Sequence, residues 1–170
     1  MNVKNIKLSI LICRVALDNA IDILSQQNIS VKMHPNFITF KGIFTYVLFK
    51  SSDQKVNHVN ATKISSVDKI TSCLEELANL LKTEVVTYKV DNIISTTSLS
   101  RPINLIDIVK KKKFKKVTYN SERFPGMFIR FDQGTSIVFH SGNIVIVGCR
   151  TLDDIYSIKK CLVANIETKF

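Results

Sequence analysis

Residues 136–148 read SIVFHSGNIVIVG, which is two short apolar runs on either side of a turn. Val, Ile and Phe favour strands, and Ser141-Gly142-Asn143 has the small and polar residues typical of a tight turn. The second run, Asn143–Val147, is apolar at successive positions, whereas a half-solvated antiparallel strand alternates apolar with polar residues. The stretch therefore predicts a hairpin whose strands are apolar on both faces.

The hairpin lies in one half of a duplicated chain. An offset of about 86 residues lays Ala20–Leu24 on Leu105–Val109. At a similar offset, Ser65-x-x-Asp68 falls on Thr151-x-x-Asp154, each the pattern of a capping box at the start of an amphipathic run. We predict two repeats, residues 1–86 and 87–170.

Each repeat shows the same order of elements: strand, short helix, short strand, a three-stranded meander and a longer helix. The four predicted helices span residues 18–26, 66–82, 104–111 and 152–164. Strands are predicted at 5–15, 30–33, 37–41, 43–50, 55–60, 92–99, 116–119, 127–132, 135–140 and 143–148. Four helices cover only one face of such a sheet, so the other apolar face is expected to be an interaction surface. The alternative is a sandwich in which both faces are internal.

The composition of the 170-residue chain points to an anionic partner. Its formal net charge is +10, and its low Gly and Pro content excludes a disordered linker. Residues 1–86 carry +3 and residues 87–170 carry +7. The lysine-rich run 110–116 is either a solvated loop or a patch for phosphate contact or nuclear targeting.

The chain shows no pattern typical of a catalytic or metal site. Its four cysteines form no CxxC pair, its three histidines are scattered, and no P-loop, HExxH or GxSxG is present. The apolar N-terminal stretch contains Arg14 and is interpreted as a strand, neither a signal peptide nor a membrane anchor. We expect an intracellular protein without cofactor or metal that is not an enzyme and does not bind membranes.

A specific resemblance lies in the second half. Residues 119–130 read YNSERFPGMFIR and are followed by SIVFHSGNIVIVG and then by Asp154-Ile155-Tyr156. The order RFPG, VFxSGxxVxxG and D-I-Y resembles the C-terminal repeat of the TATA-box-binding protein family, and Asp91–Ser95 resembles the strand that opens that repeat. The first half resembles the N-terminal repeat more weakly, through Asn5-Ile6, His34–Phe37 and Val47–Ser51.

The resemblance implies an α+β saddle. Two pseudo-symmetric repeats would form a curved antiparallel sheet of about ten strands, with four helices on the convex face and the DNA minor groove on the concave face. The family's two pairs of DNA-intercalating phenylalanines fall on Phe124 with Phe139 and on Phe37 with Phe49. Such rings unstack a base step and bend the duplex. Ordinary core packing is the alternative for each ring.

The resemblance also implies a set of minor-groove contacts. The family's paired asparagines fall on Asn5 and Asn92, for which a turn-forming or strand-capping role is the alternative. Its apolar groove contacts fall on Ile94, Ile137, Val145 and Val47. Four groove positions depart from the family: Val147 and Val59 replace threonines, and Lys7 and Asn57 replace valines. Asn60 would stand at a glycine that follows the last strand of the first repeat.

Further residues are assigned to phosphates and to protein partners. Arg130, Arg150 and Ser141 fall at phosphate-contacting positions. Glu122, Asn120 and Arg123 fall on the surface that contacts the next general factor, but only Glu122 keeps the family's acidic character. The implied partners are double-stranded AT-rich DNA and a TFIIB-like factor or RNA polymerase component, with the protein monomeric on DNA. The nucleus or a viral transcription site is the implied location. The abundance of Ile, Lys and Asn is typical of an AT-rich genome, such as that of a large DNA virus or a protist.

The predicted function is that of a DNA-bending transcription initiation factor that recognises AT-rich promoter DNA. The alternative is an interaction module that keeps the fold, has lost DNA binding and binds a regulatory or transcription protein through the saddle. Binding and bending of an AT-rich duplex distinguish the two.

Overall fold

The computed structural model describes residues 1–99 and 101–166, and the chain divides into two compact units. The first repeat unit contains Asn5–Asp91. The second repeat unit contains Met1–Lys4 together with the chain from Asn92 onward. The four N-terminal residues therefore group with the second half of the sequence rather than with the first.

The first repeat unit is an antiparallel sheet with two helices. Its elements are β1 (Asn2–Cys13, of which Asn5–Cys13 lie in this unit), α1 (Leu17–Gln26), β2 (Val31–Met33), β3 (Phe37–Lys41), β4 (Thr45–Phe49), β5 (Val56–Ile64), α2 (Lys69–Leu81) and the first part of β6 (Val85–Ser98). The strand order is β2-β3-β4-β5-β1-β6. Strand β6 begins seven residues before the predicted start because the run Val85-Val86-Thr87-Tyr88, rich in strand-favouring residues, is itself extended.

The second repeat unit repeats this arrangement. After β6 come α3 (Leu105–Lys110), β7 (Val117–Thr118), β8 (Gly126–Arg130), β9 (Thr135–Phe139), β10 (Asn143–Cys149) and α4 (Leu152–Ile166). The strand order is β6-β10-β9-β8-β7. The quoted stretch forms the β9–β10 hairpin, in which Val138 pairs with Ile144 and Ile137 with Val145.

Alternating burial along the strands separates two faces in each unit. Val138, Ile144 and Ile146 are buried, whereas Ile137 and Val145, which point the other way, are half-buried. The buried side packs against the apolar faces of the helices, which contribute Leu77 and Leu81 of α2 and Ile155, Ile158 and Leu162 of α4. The described residues hold ten strands in one antiparallel sheet and four helices, so the sandwich alternative is wrong.

The two long helices begin differently. In α4 the capping box is formed: the Asp154 N–H donates to Thr151 Oγ1 and the Thr151 N–H donates to Asp154 Oδ2, each at 3.1 Å. Hydrogen bonding of the Asp154 carboxyl to Thr151, to its side chain first and to its backbone N–H as well, lowers the pKa of that carboxyl. In the first unit the predicted box is absent, since α2 begins at Lys69 and Ser65 Oγ accepts only from Lys69 Nζ at 3.1 Å.

A half-buried carboxylate anchors the β3–β4 hairpin of the first unit to α2. Glu76 accepts from the Ile43 N–H at 2.6 Å and from the Tyr46 hydroxyl at 2.7 Å. Tyr46 Oη also donates to the Cys73 carbonyl at 3.0 Å. Burial, followed by the hydrogen bond to Glu76, raises the pKa of Tyr46 far above its usual range. The network holds the hairpin that carries Val47 and Phe49.

The four cysteines are free thiols with different surroundings. Cys73 and Cys149 are buried, Cys161 is half-buried and Cys13 is exposed. Burial raises the pKa of both the Cys73 and the Cys149 thiols to about 11. Within residues 1–99 and 101–166, no helix is long and apolar enough to cross a membrane.

Candidate nucleic-acid interface

The sheet face that no helix covers is called here the helix-free face, and in the second unit it is mostly apolar. It consists of Asn92, Ile94 and Thr96 of β6, Phe128 of β8, Ile137 and Phe139 of β9, and Val145 and Val147 of β10, all half-buried. Ile137 stands between Phe128 and Val145 in the strand register. Six predicted contacts are therefore brought together on one face: Asn92, Ile94, Ile137, Phe139, Val145 and Val147.

A cluster of three rings closes one end of this face. Phe124, which is 39% exposed, makes an edge contact with Phe139 at a centroid distance of 5.9 Å. It also lies 5.3 Å from the Phe128 ring. Gly126 lies beneath the rings, and a Cβ at this position would come within 2.6 Å of Phe124 Cε1 and 2.7 Å of Ile137 Cγ2. The glycine therefore makes room for the exposed Phe124 ring.

The helix-free face of the first unit is more polar. It presents Asn5, Lys7, Ser9 and Leu11 of β1, Phe37 and Thr39 of β3, Thr45, Val47 and Phe49 of β4, and His58, Asn60 and Thr62 of β5. Val47 pairs in register with Asn60, and Thr45 with Thr62. Polar side chains thus occupy much of the area that aliphatic and aromatic side chains fill in the second unit.

Four rings form a row on this face. His34 stacks on Phe37 at a centroid distance of 4.2 Å, Phe37 lies 5.8 Å from Phe49, and Phe49 stacks on His58 at 5.6 Å. The His58 ring also hydrogen-bonds through Nε2 to Ser9 Oγ. The place of the two histidines in this row was not predicted, because the histidines of the sequence were weighed only as metal ligands.

Phe37 stands in a different register from Phe124. Phe37 pairs directly with Phe49, whereas Gly126 is the residue that pairs with Phe139. Phe37 therefore occupies the strand position of Gly126, and the predicted equivalence between Phe37 and Phe124 is wrong by two residues. Both rings still lie beside the phenylalanine of the next strand.

Two asparagines fix the true correspondence between the repeats. Asn5 Oδ1 accepts from the Lys63 N–H and Asn92 Oδ1 accepts from the Gly148 N–H, each at 2.7 Å. Lys63 and Gly148 share a left-handed backbone, with φ of 66° and 84°. Lys63 therefore corresponds to Gly148, which places Thr62 on Val147 and Asn60 on Val145.

This correspondence corrects three predictions for β5. Val59 and Asn57 were predicted to contact the groove, but they lie on the helix-covered side, where they are 0% and 3% exposed. Asn57 accepts from the Val15 N–H at 2.8 Å and donates to the Phe49 carbonyl at 3.2 Å, which is a structural role. Asn60 does not stand at the glycine position, which belongs to Lys63.

The paired asparagines have a fixed amide orientation. Because the oxygen of each side chain accepts a backbone N–H, the amide nitrogen is directed to the other side of the group. That nitrogen is a hydrogen-bond donor, and base edges in the minor groove offer mainly acceptors. The direction of the amide nitrogen suits the predicted donation to a base. The bond from the backbone N–H to the amide oxygen fits the alternative, a strand-capping role.

Basic side chains gather at one edge of the second unit. Arg130, Arg150 and Lys116 line one cavity together with Asp132 and Asp154. Arg130 is exposed, and its Nη1 donates to Thr118 Oγ1 at 3.1 Å. Ser141 lies elsewhere, in the β9–β10 turn, where its Oγ accepts from the Asn143 N–H at 3.4 Å. The two arginines are brought together, and Ser141 borders the apolar face instead.

The loop before Phe124 carries the predicted protein-contact residues. Asn120, Glu122 and Arg123 are all exposed. Asn120 also has a local role, since its Oδ1 accepts from the Glu122 N–H at 3.0 Å and its carbonyl accepts from the Phe124 N–H at 3.0 Å. Asn120 therefore shapes the loop that presents Phe124.

The lysine-rich run lies near the helices. Lys113 Nζ donates to the Asn165 carbonyl near the end of α4 at 2.8 Å. Lys110, Lys112, Lys115 and Lys116 are exposed. Both interpretations of the run, a solvated loop and a phosphate or targeting patch, stay predictions. In the described ranges, no group of three or more His, Cys, Asp or Glu side chains is placed to hold a metal ion.

These features define a class of protein: a duplicated α+β chain in which, among the described residues, each repeat leaves one sheet face without a helix, mostly apolar in the second repeat and more polar in the first. Residues 87–168 match the family model described as "Transcription factor TFIID (or TATA-binding protein, TBP)". The structure resembles that of Methanococcus jannaschii TBP with a TM-score of 0.81, over 97% of both chains and with 22% sequence identity, which supports the shared fold. The second half of the chain thus matches the TATA-box-binding protein family, and the predicted resemblance to that family and the predicted fold class are confirmed.

Sequence relatives agree with this assignment. The chain is 39% identical over 67 residues to TATA-box-binding protein-like 1 of Entamoeba histolytica, a match covering 38% of this chain and 30% of the relative. It is 33% identical over 90 residues to the TATA-box-binding protein of Thermococcus sibiricus, covering 50% of this chain and 48% of the relative. The matched stretches thus span less than half the length of these relatives.

Proposed function

We propose that the chain is a transcription initiation factor that binds and bends AT-rich double-stranded DNA through the helix-free faces of its two units. The observation that carries the proposal is the helix-free face of the second unit, where the exposed Phe124 ring stands beside Phe139 over Gly126. A face of this composition has no internal partner, and large uncovered apolar surfaces mark interaction sites. The proposal assigns no catalytic step.

The chemistry of the minor groove supports AT-rich DNA as the ligand. A·T pairs present only acceptors there, whereas a G·C pair adds an amino group that protrudes from the groove floor. The aliphatic side chains Ile94, Ile137 and Val145 fit closely against the former and would leave the amino group of the latter without an acceptor. We assign these residues with Val147 and Val47 to groove packing, and Asn5 and Asn92 to donation toward base acceptors.

Phe124 and Phe139 are assigned the wedge role in the second unit, and Phe37 and Phe49 in the first. Inserted apolar rings unstack a base step and bend the duplex toward the major groove. Lys7, Asn60 and Thr62 add polar contacts in the first unit, and the Thr62 hydroxyl is a donor where the second unit has Val147. Arg130, Arg150 and Ser141 are assigned to phosphates, which position the protein without reading sequence.

The exposed loop around Glu122 is assigned to a protein partner. Glu122 and Arg123 are exposed beside the Phe124 wedge, so a partner on this loop would sit next to bent DNA. A TFIIB-like factor or a polymerase component fits this position, and the protein would act at the site of transcription, the nucleus or a viral transcription site. A partner that binds only the DNA-bound chain would support the assignment.

The test measures binding and bending in one experiment. AT-rich and GC-rich duplexes carry dyes at both ends, so that anisotropy reports binding and energy transfer reports bending. We expect tighter binding and a clear bend for the AT-rich duplex, with affinity falling steeply as salt rises. The variant Phe124→Ala/Phe139→Ala should lose the bend and bind on the order of tenfold or more weakly.

Tyr156→Ala is the matched control, since Tyr156 is an aromatic residue of α4 that is 55% exposed and lies away from the helix-free face. It should bind and bend as the wild type does. If the folded chain binds no AT-rich duplex at low salt, the proposal is wrong and the helix-free face serves a protein partner instead.

A further inference from the structure

The two helix-free faces differ in the chemistry of their rings. The second unit has three phenylalanines in contact, Phe124, Phe128 and Phe139. In the first unit the phenylalanine pair is flanked by His34 and His58, one stacked on each ring. By the correspondence of Lys63 with Gly148, His58 occupies the position of Asn143, so a titratable ring replaces an amide.

The His58 ring is held on the helix-free face by two contacts. It stacks on Phe49 with an interplanar angle of 23°, and its Nε2 hydrogen-bonds to the hydroxyl of Ser9, a residue only 7% exposed. His58 itself is exposed and pairs in register with Leu11 of β1. Its orientation is therefore set from one side by a ring and from another by a buried hydroxyl.

These contacts determine what the second ring nitrogen offers. If Nε2 accepts from Ser9, then Nδ1 carries the proton and donates outward; in the imidazolium form both nitrogens donate. Only the neutral tautomer with the proton on Nε2 would present an acceptor, which a groove lined with acceptors disfavours. A bound A·T groove thus selects the forms in which Nδ1 is a donor, and the cation is the stronger donor of the two.

The side chains around His58 carry little unbalanced positive charge that would oppose protonation of its ring. On β6, Tyr88 and Lys89 line the same cavity as His58, Ser9 and Leu11. Lys89 Nζ lies 3.8 Å from Asp91 Oδ1, so its charge has a counterion within the same unit. On β4 the contacting side chain is the uncharged Phe49, and on β1 the contacting side chain is the uncharged Ser9.

We propose that His58 is a groove-contacting donor of the first repeat unit and that its protonation tightens DNA binding as the pH falls. The inference rests on the proposed function, because it requires DNA on this face. Histidine is the side chain whose charge changes near neutral pH, and cationic side chains are attracted into the narrow minor groove of A-tracts. The helix-free face of the second unit, whose rings are all phenyl, adds no such dependence.

The test follows the affinity for an AT-rich duplex across pH at constant ionic strength. For the wild type we expect affinity to rise roughly three- to tenfold between about pH 8 and about pH 5.5. His58→Phe keeps a ring on Phe49 but cannot titrate. Because it lacks the Nδ1 donor, it should bind more weakly than the wild type at every pH and show a flat profile.

Two further histidines provide the controls. His140 is exposed in the second unit, and its Nδ1 hydrogen-bonds to the Ile103 carbonyl at 2.7 Å. His34 stacks on Phe37 and lines a cavity with Arg14, Asp18 and Lys50, where charges of both signs surround it. His140→Asn and His34→Phe should each retain the wild-type pH profile.

The outcomes separate the two proposals. A profile that stays steep in His58→Phe, or that flattens in a control variant instead, overturns the role of His58 and leaves DNA binding intact. A wild type that binds DNA with no pH dependence also overturns it. Absence of binding at every pH and at low salt overturns the proposed function and this inference together.

Discussion

Gly126 and Phe37 occupy the same strand position in the two repeat units, and this single difference changes how each phenylalanine pair is supported. In the second unit a residue without a side chain lets Phe124 reach across from the preceding loop to Phe139. In the first unit the strand residue itself supplies the ring. One pair is therefore a loop residue with a strand residue, and the other is two strand residues side by side.

We expect Gly126→Ala to displace the exposed ring of the second unit. Its Cβ would lie 2.6 Å from Phe124 Cε1 and 2.7 Å from Ile137 Cγ2, which is closer than packed atoms tolerate. Overpacking of this kind costs about 1–3 kcal/mol, measured by denaturant unfolding. DNA bending by the variant should also fall, because the wedge no longer stands in place.

Gly126→Ala combined with Phe124→Ala tests the cause. Removing the Phe124 ring removes the nearest clash, so the loss of stability in the double variant should be smaller than the sum of the single losses. Strict additivity would mean that the alanine acts on the strand backbone and not on the ring.

At this scale the sequence predicted which side chains lie on the helix-free face better for the second unit than for the first. The motifs that locate Phe124, Phe139 and Val145 in the sequence contain Gly126, Gly142 and Gly148. These glycines fix the spacing of the motifs in the structure. The first unit has Phe37 and Lys63 at two of those positions. Without these glycines the first repeat was aligned on the second in the wrong register. The predicted groove contacts Val59 and Asn57 therefore lie on the buried side of β5.

Among the elements, the two long helices are preceded by the same capping-box motif, but the hydrogen bonds of the box form only at α4. Thr151 and Asp154 exchange two hydrogen bonds at the start of α4, whereas Ser65 and Asp68 do not, since a turn separates Ser65 from α2. Thr151→Ala should lower the free energy of unfolding by about 1 kcal/mol, as for other helix N-caps. Ser65→Ala, the matched change in the first unit, should have almost no effect in the same denaturation experiment.

Acid sharpens this comparison. The folded-state pKa of Asp154 is lowered, so its contribution to stability is present above the unfolded-state pKa and is lost as the pH falls through the folded-state value. The stability difference between Thr151→Ala and the wild type should therefore become smaller in strong acid, although the bond from the Asp154 N–H to the Thr151 hydroxyl keeps part of it at every pH. A difference that stays constant down to strong acid would contradict the role of the carboxylate.

Strand register was harder to predict than the strands themselves. A one-residue slip turns every side chain to the opposite face, so a small error in alignment reverses which residues face a ligand. The helix starts do not remove this slip: at the offset that lays Ser65 on Thr151, Asn60 falls on the buried Ile146. The offset that lays Lys63 on Gly148 is one residue shorter and places Asn60 on Val145.

For the whole molecule, the net charge of +10 predicts that the affinity for DNA falls as the salt concentration rises. A protein that contacts Z phosphates shows an affinity whose logarithm falls with the logarithm of salt by about 0.9 for each contact. Arg130→Gln should therefore reduce the magnitude of this slope by about 0.9 and weaken binding to AT-rich and GC-rich duplexes alike.

Lys160→Gln removes the same charge from an exposed position on α4, on the helix-covered side. Its slope should equal that of the wild type. If both variants lower the slope equally, the arginine acts through net charge alone and holds no particular phosphate.

The duplication and the fold class were predictable because they depend on patterns repeated over many residues. Hydrophobic periodicity placed all four helices, and the ten strands appear in the predicted order. The division of the chain was less accessible, since Met1–Lys4 group with the second repeat unit through pairing of distant segments. Ring stacking by His34 and His58 depends on a different feature, the pairing of β3 with β4 and of β4 with β5.

The different surroundings of the four thiols have a practical consequence for labelling. The thiolate is the form of cysteine that attacks a thiol-reactive dye. Burial and a raised pKa therefore make Cys73 and Cys149 slow to react in the folded chain. Cys13, exposed at the end of β1, is the site at which a maleimide couples first, with the half-buried Cys161 behind it. The natural chain thus accepts a fluorophore at one end of a strand without any substitution, and the two buried thiols become measures of unfolding.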